Sequence, residues 1–527
     1  MPGFHIEHFG CRAARADGEA IAGKLRAMNE REPLATDVVI VNTCSVTAEA
    51  DRAARAFIRR AHRRNPAAKI VVTGCYAQRA PEELACMAGV AAVVGNSHKA
   101  LAPDIIRELT HSGRQTSQPS ALVPTASLLA GSAPQTSTDV PQAPIWADDR
   151  FAHSFIEDMH WGDAPPAPGA QTRPNLKIQE GCGNRCTFCV IPMTRGPSQS
   201  LPHAAVMQRV ERFVAAGGKE LVLSGINLGR WGRDMPEPYL AGERKRPSTL
   251  NNSQEARVAK NGARFARMTR ITEGVAPAAV QPLRSSTSDN RGPAGSLAAL
   301  VRSILEGTGL PRLRLSSIEP MDWTDELIAL MRDFGGNRLA RHAHLPLQSG
   351  SDAVLRRMHR RYRPWHYAEK VDALLRAAGP DLTLGADVMA GFPGETDNEF
   401  EETAAFIRAL PFGYLHLFPF SPRPGTRAGA LRASDQVAHG VIGERMAVLR
   451  ALATEKTAIH RRQFVGRELD AITLHTPAEL AGRGSTAALT ENFLPVELEG
   501  KFAANLLLRV RVSGLNAAGE LRASPGT

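Results

Sequence analysis

Three cysteines fall within eight residues, Cys182-Gly-Asn-Arg-Cys186-Thr-Phe-Cys189, directly behind the strand-like run LKIQE at 176–180. Three such thiolates can hold three irons of a four-iron cubane and leave the fourth iron open, able to chelate a small molecule and pass it an electron. The alternatives are inert thiols or a structural zinc site, but tetrahedral zinc normally takes four protein ligands and no fourth is adjacent here.

Cys11, Cys44 and Cys75 are far apart in sequence, yet each follows a strand pattern: FHIEHFG, VVIVNT and IVVTG. In a parallel α/β sheet such positions converge at the carboxyl edge, where ligands bind. They are either a second cluster site with one open iron or three buried apolar cysteines. Cys86 lies inside the helical pattern PEELACMAG and reads as a buried, inert thiol. The total of seven cysteines is odd, so complete disulfide pairing is impossible.

The predicted fold class is α/β. Residues 1–111 alternate apolar β-rich runs (36–42, 69–74, 90–94) with helical patterns (about 17–29, 48–64, 81–88), which implies a parallel sheet. Residues 112–172 turn rich in Ser, Thr, Pro, Ala and Gln and read as a largely disordered linker or insertion. Across 173–433 the βα rhythm resumes, with strands expected at 176–180, 220–224, 312–317, 341–347, 382–389 and 413–418. Six units suggest a partial (β/α)6 barrel with its chemistry at the carboxyl ends of the strands. An irregular Ser/Arg/Pro-rich stretch at about 234–295 interrupts it and reads as a surface insertion. Residues 434–464 read as a helical connector, and the β-like pieces in 465–527 fit a small β-barrel.

The 64 Lys+Arg against 53 Asp+Glu leave +11, a balance that suits an anionic partner such as RNA or an acidic membrane surface. Residues 240–295 hold ten Lys/Arg and four Asp/Glu, whereas 112–172 hold two Arg and six Asp/Glu, so most of the surplus belongs to the rest of the chain. No apolar run approaches the ~18 residues of a spanning helix. The start, MPGFHIEHFGC, lacks a basic segment followed by an apolar one, so a cytoplasmic location is expected.

The segments VNTCSVT (41–47), TGCYAQ (73–78), KIQEGCGNRCTFCVIPMTRG (177–196), LRLSSIEP (313–320), HLPLQSGSDAVLRRMHRRY (344–362), GFPGET (391–396) and FPFSPRPGT (418–426) together resemble the radical S-adenosylmethionine methylthiotransferases. LSGINLGRWGRD (223–234) is similar to the subfamily acting on N6-threonylcarbamoyladenosine in tRNA. The resemblance implies two [4Fe-4S] clusters, one on Cys182, Cys186 and Cys189 that binds S-adenosylmethionine and one on Cys11, Cys44 and Cys75. It further implies a 5′-deoxyadenosyl radical that takes hydrogen from C2 of the adenine at position 37 of tRNA. Sulfur associated with the second cluster enters there, and a second S-adenosylmethionine supplies the methyl group. An electron donor such as flavodoxin or ferredoxin is expected, and the sulfur source stays open. Rival targets are isopentenyladenosine in tRNA and a ribosomal-protein aspartate; a catalytically impaired RNA-binding homologue is a further alternative. The chain departs from the family pattern at Ala14, where Asn is usual, and in its two insertions.

Other candidate cofactor contacts each carry a plain structural alternative. Phe188 is placed near the adenine of the cofactor or packs the loop. Gly225 and Asn227 end a strand, allowing close ligand approach or simple turn chemistry. Glu319, Asp387 and Gln348 lie at strand ends, suited to ribose hydroxyls or an ammonium, or else to structural pairing. Thr396 and Glu399 fit a capping box. Arg356, Arg357, Arg360, Arg361 and Arg363 form either a solvated face or a phosphate contact for tRNA. GSTAALTENFLPVEL (484–498) resembles the TRAM domain, a small RNA-binding barrel.

Overall fold

The computed structural model describes residues 3–31, 34, 37–111, 142–152, 155, 172–235 and 295–526. Most of the linker and insertion expectations, at 112–141, 156–171 and 236–294, therefore lie outside the described residues.

The amino-terminal sheet is parallel throughout, in the order β1 (Phe4–His8), β2 (Val38–Thr43), β3 (Lys69–Gly74), β4 (Val90–Gly95) and β5 (Ile145–Trp146). The near-continuous Val/Ile runs of β2 and β3 are buried along most of their length, as expected where helices cover both faces. Helix Ala48–Arg64 starts where the Thr47 side chain accepts from the Ala50 amide, the local reason the chain turns from strand to helix there. β5 comes from within the segment read as linker. Its two residues complete the sheet beside Val93 and Val94, a pairing that low-complexity surroundings concealed. Cys86 corrects its expectation as well, because it caps the short helix Pro81–Ala85 and is exposed rather than buried.

Six parallel strands follow. β6 (Asn175–Glu180) carries the antiparallel β7 (Gln199–Ser200) on its outer edge and pairs with β8 (Glu220–Gly225), which pairs with β9 (Arg312–Leu315). β10 (His342–His344), β11 (Thr383–Ala390) and β12 (Phe412–Pro419) form the other half. A parallel bridge from Ser317 to His344 joins the two halves into an open (β/α)6 arc over one apolar core. All six strands arise where the alternation placed them.

Helix His439–Arg462 leads to a closed barrel of β13 (Glu468–Thr473), β14 (Ser485–Thr490), β15 (Pro495–Glu499), β17 (Leu521–Pro525) and β16 (Leu507–Leu515). The turn after β14 plugs the amino ends of the arc. Arg341 clamps Glu491 at 2.5 and 2.8 Å, Arg314 donates to the Thr490 carbonyl at 3.2 Å, and Asn492 donates to that of Asp381 at 3.0 Å. Phe493, at φ +71°, lies 4.4 Å from the His342 ring, with the guanidiniums of Arg12 and Arg314 each 5.3 Å from its centroid.

Candidate functional site

Cys11, Cys44 and Cys75 stand at the carboxyl ends of β1, β2 and β3, as their spacing predicted. Gly74, at φ +100°, makes the turn into Cys75, and a Cβ there would lie 2.3 Å from the Thr43 carbonyl oxygen. Hydrogen donors surround the sulfurs. The Val46 amide donates to Cys44 Sγ (3.4 Å), and Asn96 Nδ2 (3.4 Å) and Arg195 Nε (3.2 Å) donate to Cys75 Sγ. Burial, reinforced by Cys75 and Cys11, pushes the Cys44 thiol up to about 12.

The second triad hangs on Gly181, at φ +66°, whose added Cβ would meet the Pro197 carbonyl oxygen at 1.9 Å. Cys182 Sγ accepts from the Asn184 amide (3.4 Å) and from Asn227 Nδ2 (3.6 Å), and Cys186 Sγ accepts from Arg360 Nη1 (3.4 Å). Burial pushes the Cys189 thiol up to about 12. Among the described residues, neither triad has all three of its sulfurs within 4.8 Å of one another. A tetrahedral zinc with Zn–S near 2.3 Å would need sulfurs about 3.8 Å apart. Free thiols, each triad with its own guanidinium and N–H···S donors, suit an iron–sulfur cluster; burial that opposes bare thiolates makes cation binding proton-releasing.

A buried ionic bridge, which sequence reasoning missed, links the two triads. Arg195 donates through Nη1 to Glu180 (2.7 Å) and Asp17 (3.1 Å) as well as through Nε to Cys75. Lys99 donates to Asp17 (3.0 Å) and Glu180 (2.6 Å), and Lys177 bonds both carboxylates. Burial works against the Glu180 charge, yet the Arg195, Lys177 and Lys99 cations hold its carboxyl well below the usual range. Three cations against two carboxylates leave a surplus positive charge beside Cys75, suited to an anionic cluster. Glu180 is also two residues before Cys182.

The structure brings Asn227 and Glu319 to the second triad, the latter indirectly. Both Glu319 oxygens accept from Arg360 Nη2 at 2.7 Å, so Glu319 orients the guanidinium that touches Cys186. Phe188 is half-buried and meets Phe392 edge-to-face at 6.4 Å. Gly225 ends β8, where an added Cβ would lie 2.9 Å from the Gln179 Cβ. Gln348, at φ +64°, bonds along β11 through its backbone. Asp387, expected at a strand end, is engaged by His344 and His416. Ala14, in place of the usual Asn, is buried, and its carbonyl accepts from Asn42 Nδ2 at 2.5 Å. The capping box of Thr396 and Glu399 forms as expected. The arginine run meets carboxylates: Arg356 and Arg363 pair with Asp352, Arg357 with Glu399 and Arg361 with Asp322.

Two family models match the chain: Uncharacterized protein family UPF0004 over residues 3–95 and the Radical SAM superfamily over residues 285–407, downstream of the cysteine loop. Threonylcarbamoyladenosine tRNA methylthiotransferase MtaB of Bacillus subtilis (strain 168) is 32% identical over 503 residues, covering 94% of this chain and 90% of that protein. MtaB of Aquifex aeolicus (strain VF5) is 28% identical over 511 residues, covering 96% and 99%. The tRNA-2-methylthio-N(6)-dimethylallyladenosine synthase of Sorangium cellulosum (strain So ce56) is 30% identical over 503 residues, covering 93% and 85%. Near full-length likeness to enzymes of one chemistry, on a chain that keeps both cysteine triads, places this chain in the family of radical S-adenosylmethionine methylthiotransferases, MtaB type.

Proposed function

We propose that this chain methylthiolates C2 of N6-threonylcarbamoyladenosine at position 37 of tRNA. The observation that carries this reading is the coexistence of two separate cysteine triads, each with a guanidinium on one sulfur, in a chain that matches MtaB over 94% of its length. Cys182, Cys186 and Cys189 would hold the cluster that takes S-adenosylmethionine, and Cys11, Cys44 and Cys75 the second cluster. When bound, the two [4Fe-4S] clusters and S-adenosylmethionine supply the radical, the sulfur and the methyl group.

The protein's own residues bind and orient. Asn227 and Arg360 fix the sulfurs of the second triad, with Glu319 holding Arg360 in place. Gly225, Phe188 and Gln348 shape the cofactor's surroundings at the carboxyl ends of the strands. Residues 1–111 serve as the sulfur-donating domain and 173–433 as the radical domain. Residues 434–464 connect that domain to a TRAM-like barrel (465–527) that grips RNA by shape. A flavodoxin- or ferredoxin-like protein delivers electrons. Among the described residues no helix is long and apolar enough to cross a membrane, and we assign the enzyme to the cytoplasm, where tRNA is.

Mass spectrometry of tRNA nucleosides from a deletion strain tests the substrate. Loss of methylthiolated threonylcarbamoyladenosine supports the reading, whereas an unchanged profile, or loss of the isopentenyl counterpart, rejects it.

A further inference from the structure

His344 closes β10, while Asp387 and His416 lie within β11 and β12, three parallel neighbours. Asp387 stands opposite His416 in register, and His344 opposite Gly385, two residues from Asp387. Period-two alternation therefore puts all three side chains on one face of the arc. The alternate residues Ala343, Ala386 and Val388 join the apolar core.

One nitrogen from each imidazole and one carboxylate oxygen lie within 4.8 Å of one another. His344 Nε2 and His416 Nδ1 each stand 3.2 Å from Asp387 Oδ1. Ligands about 2.0–2.2 Å from a tetrahedral ion are separated by about 3.3 Å, so the spacing is that of a coordination sphere.

The two histidines differ in a telling way. His416 Nδ1 meets hydrogen-bond geometry with Asp387. His344 Nε2 lies equally close to that oxygen but outside ideal hydrogen-bond geometry, on a side chain only 7% exposed. Two ligands of a common ion stand at this separation without pointing at one another.

We propose that His344, Asp387 and His416 bind one divalent transition-metal ion of the zinc class, distinct from both cysteine triads. Two imidazoles and one carboxylate suit zinc or ferrous iron and disfavour magnesium and calcium, which prefer oxygen. Three protein ligands leave a coordination position for water or a substrate oxygen, and His416 is half-exposed. The assignment goes beyond the methylthiolation reading and does not depend on it, because its readout is metal content.

The test uses anaerobically reconstituted holoenzyme incubated with zinc chloride, freed of loose metal by gel filtration and assayed for zinc and iron by mass spectrometry. Wild type should retain about one zinc per chain more than His416→Ala or Asp387→Asn, with iron unchanged. Zinc-edge absorption should show nitrogen and oxygen neighbours at about 2.0–2.2 Å rather than sulfur at about 2.3 Å. Equal zinc in wild type and variants, sulfur neighbours, or zinc gained only as iron is lost would each overturn the site and leave a hydrogen-bonded His–Asp–His group. Because His416 is half-exposed, its variant keeps the test decisive even where His344→Ala fails to fold.

Discussion

Arg195 donates its Nε hydrogen to the Sγ of Cys75 across 3.2 Å while its other arm holds Glu180 and Asp17. The guanidinium is wholly buried, so its loss leaves two carboxylates facing only Lys99 and Lys177. Arg195→Met is expected to cost about 3–5 kcal/mol, the range for breaking a buried ionic network from one side. Anaerobic chemical denaturation measures it, and a cost below about 1 kcal/mol would show that the bridge is not structural.

The two triads should separate by mutation. Cys186→Ala is expected to abolish reductive cleavage of S-adenosylmethionine, while Cys44→Ala keeps cleavage and loses sulfur insertion. Reconstituted wild type should hold about eight irons, and each variant about four. Iron analysis beside an assay for 5′-deoxyadenosine decides; cleavage lost in both variants would contradict a division of labour.

Glu19 sets a pH dependence. Burial, only partly offset by Arg15 and by the Asn175 backbone amide, raises its carboxyl from 4.5 to about 7. The folded state thus binds a proton that the unfolded state releases, so stability falls as pH rises from about 4.5 to about 7 and then levels. Glu19→Gln removes that loss. Thermal melts should show the variant more stable at pH 8, by up to about 3 kcal/mol, and nearly equal to wild type below pH 4.5. An equal gain at both pH values would falsify the assignment.

Arg357 donates to both oxygens of Glu399, at 2.7 and 2.8 Å. A guanidinium so engaged has little left for phosphate. Arg357→Ala should leave the slope of log affinity for tRNA against log salt unchanged, whereas removal of a phosphate contact would lower it by about 0.7–0.9. Filter binding across a salt series checks this.

Local pattern made the strands and cysteines legible. Cys11, Cys44 and Cys75 each follow an apolar strand, and parallel topology then dictates that they meet. Strand β5 was hidden because two residues carry no period, and the ionic bridge because Asp17, Lys99, Lys177 and Arg195 pair over as many as 178 positions. Nothing in the neighbourhood of any one of them announces the others. Arg360 was visible only as one arginine among five, since a run shows charge and not which member turns inward toward Cys186.

The ring of Phe493 carries a consequence for how the molecule is made. One of its cationic neighbours, Arg12, follows Cys11 directly, while Phe493 itself belongs to the closed barrel. About 480 residues must be translated between the two, roughly 25 to 95 seconds at ~5–20 residues per second. During that interval the first cysteine region has emerged from the ribosome without its finished surroundings. Only a chain translated as far as Phe493 can put the aromatic ring against Arg12.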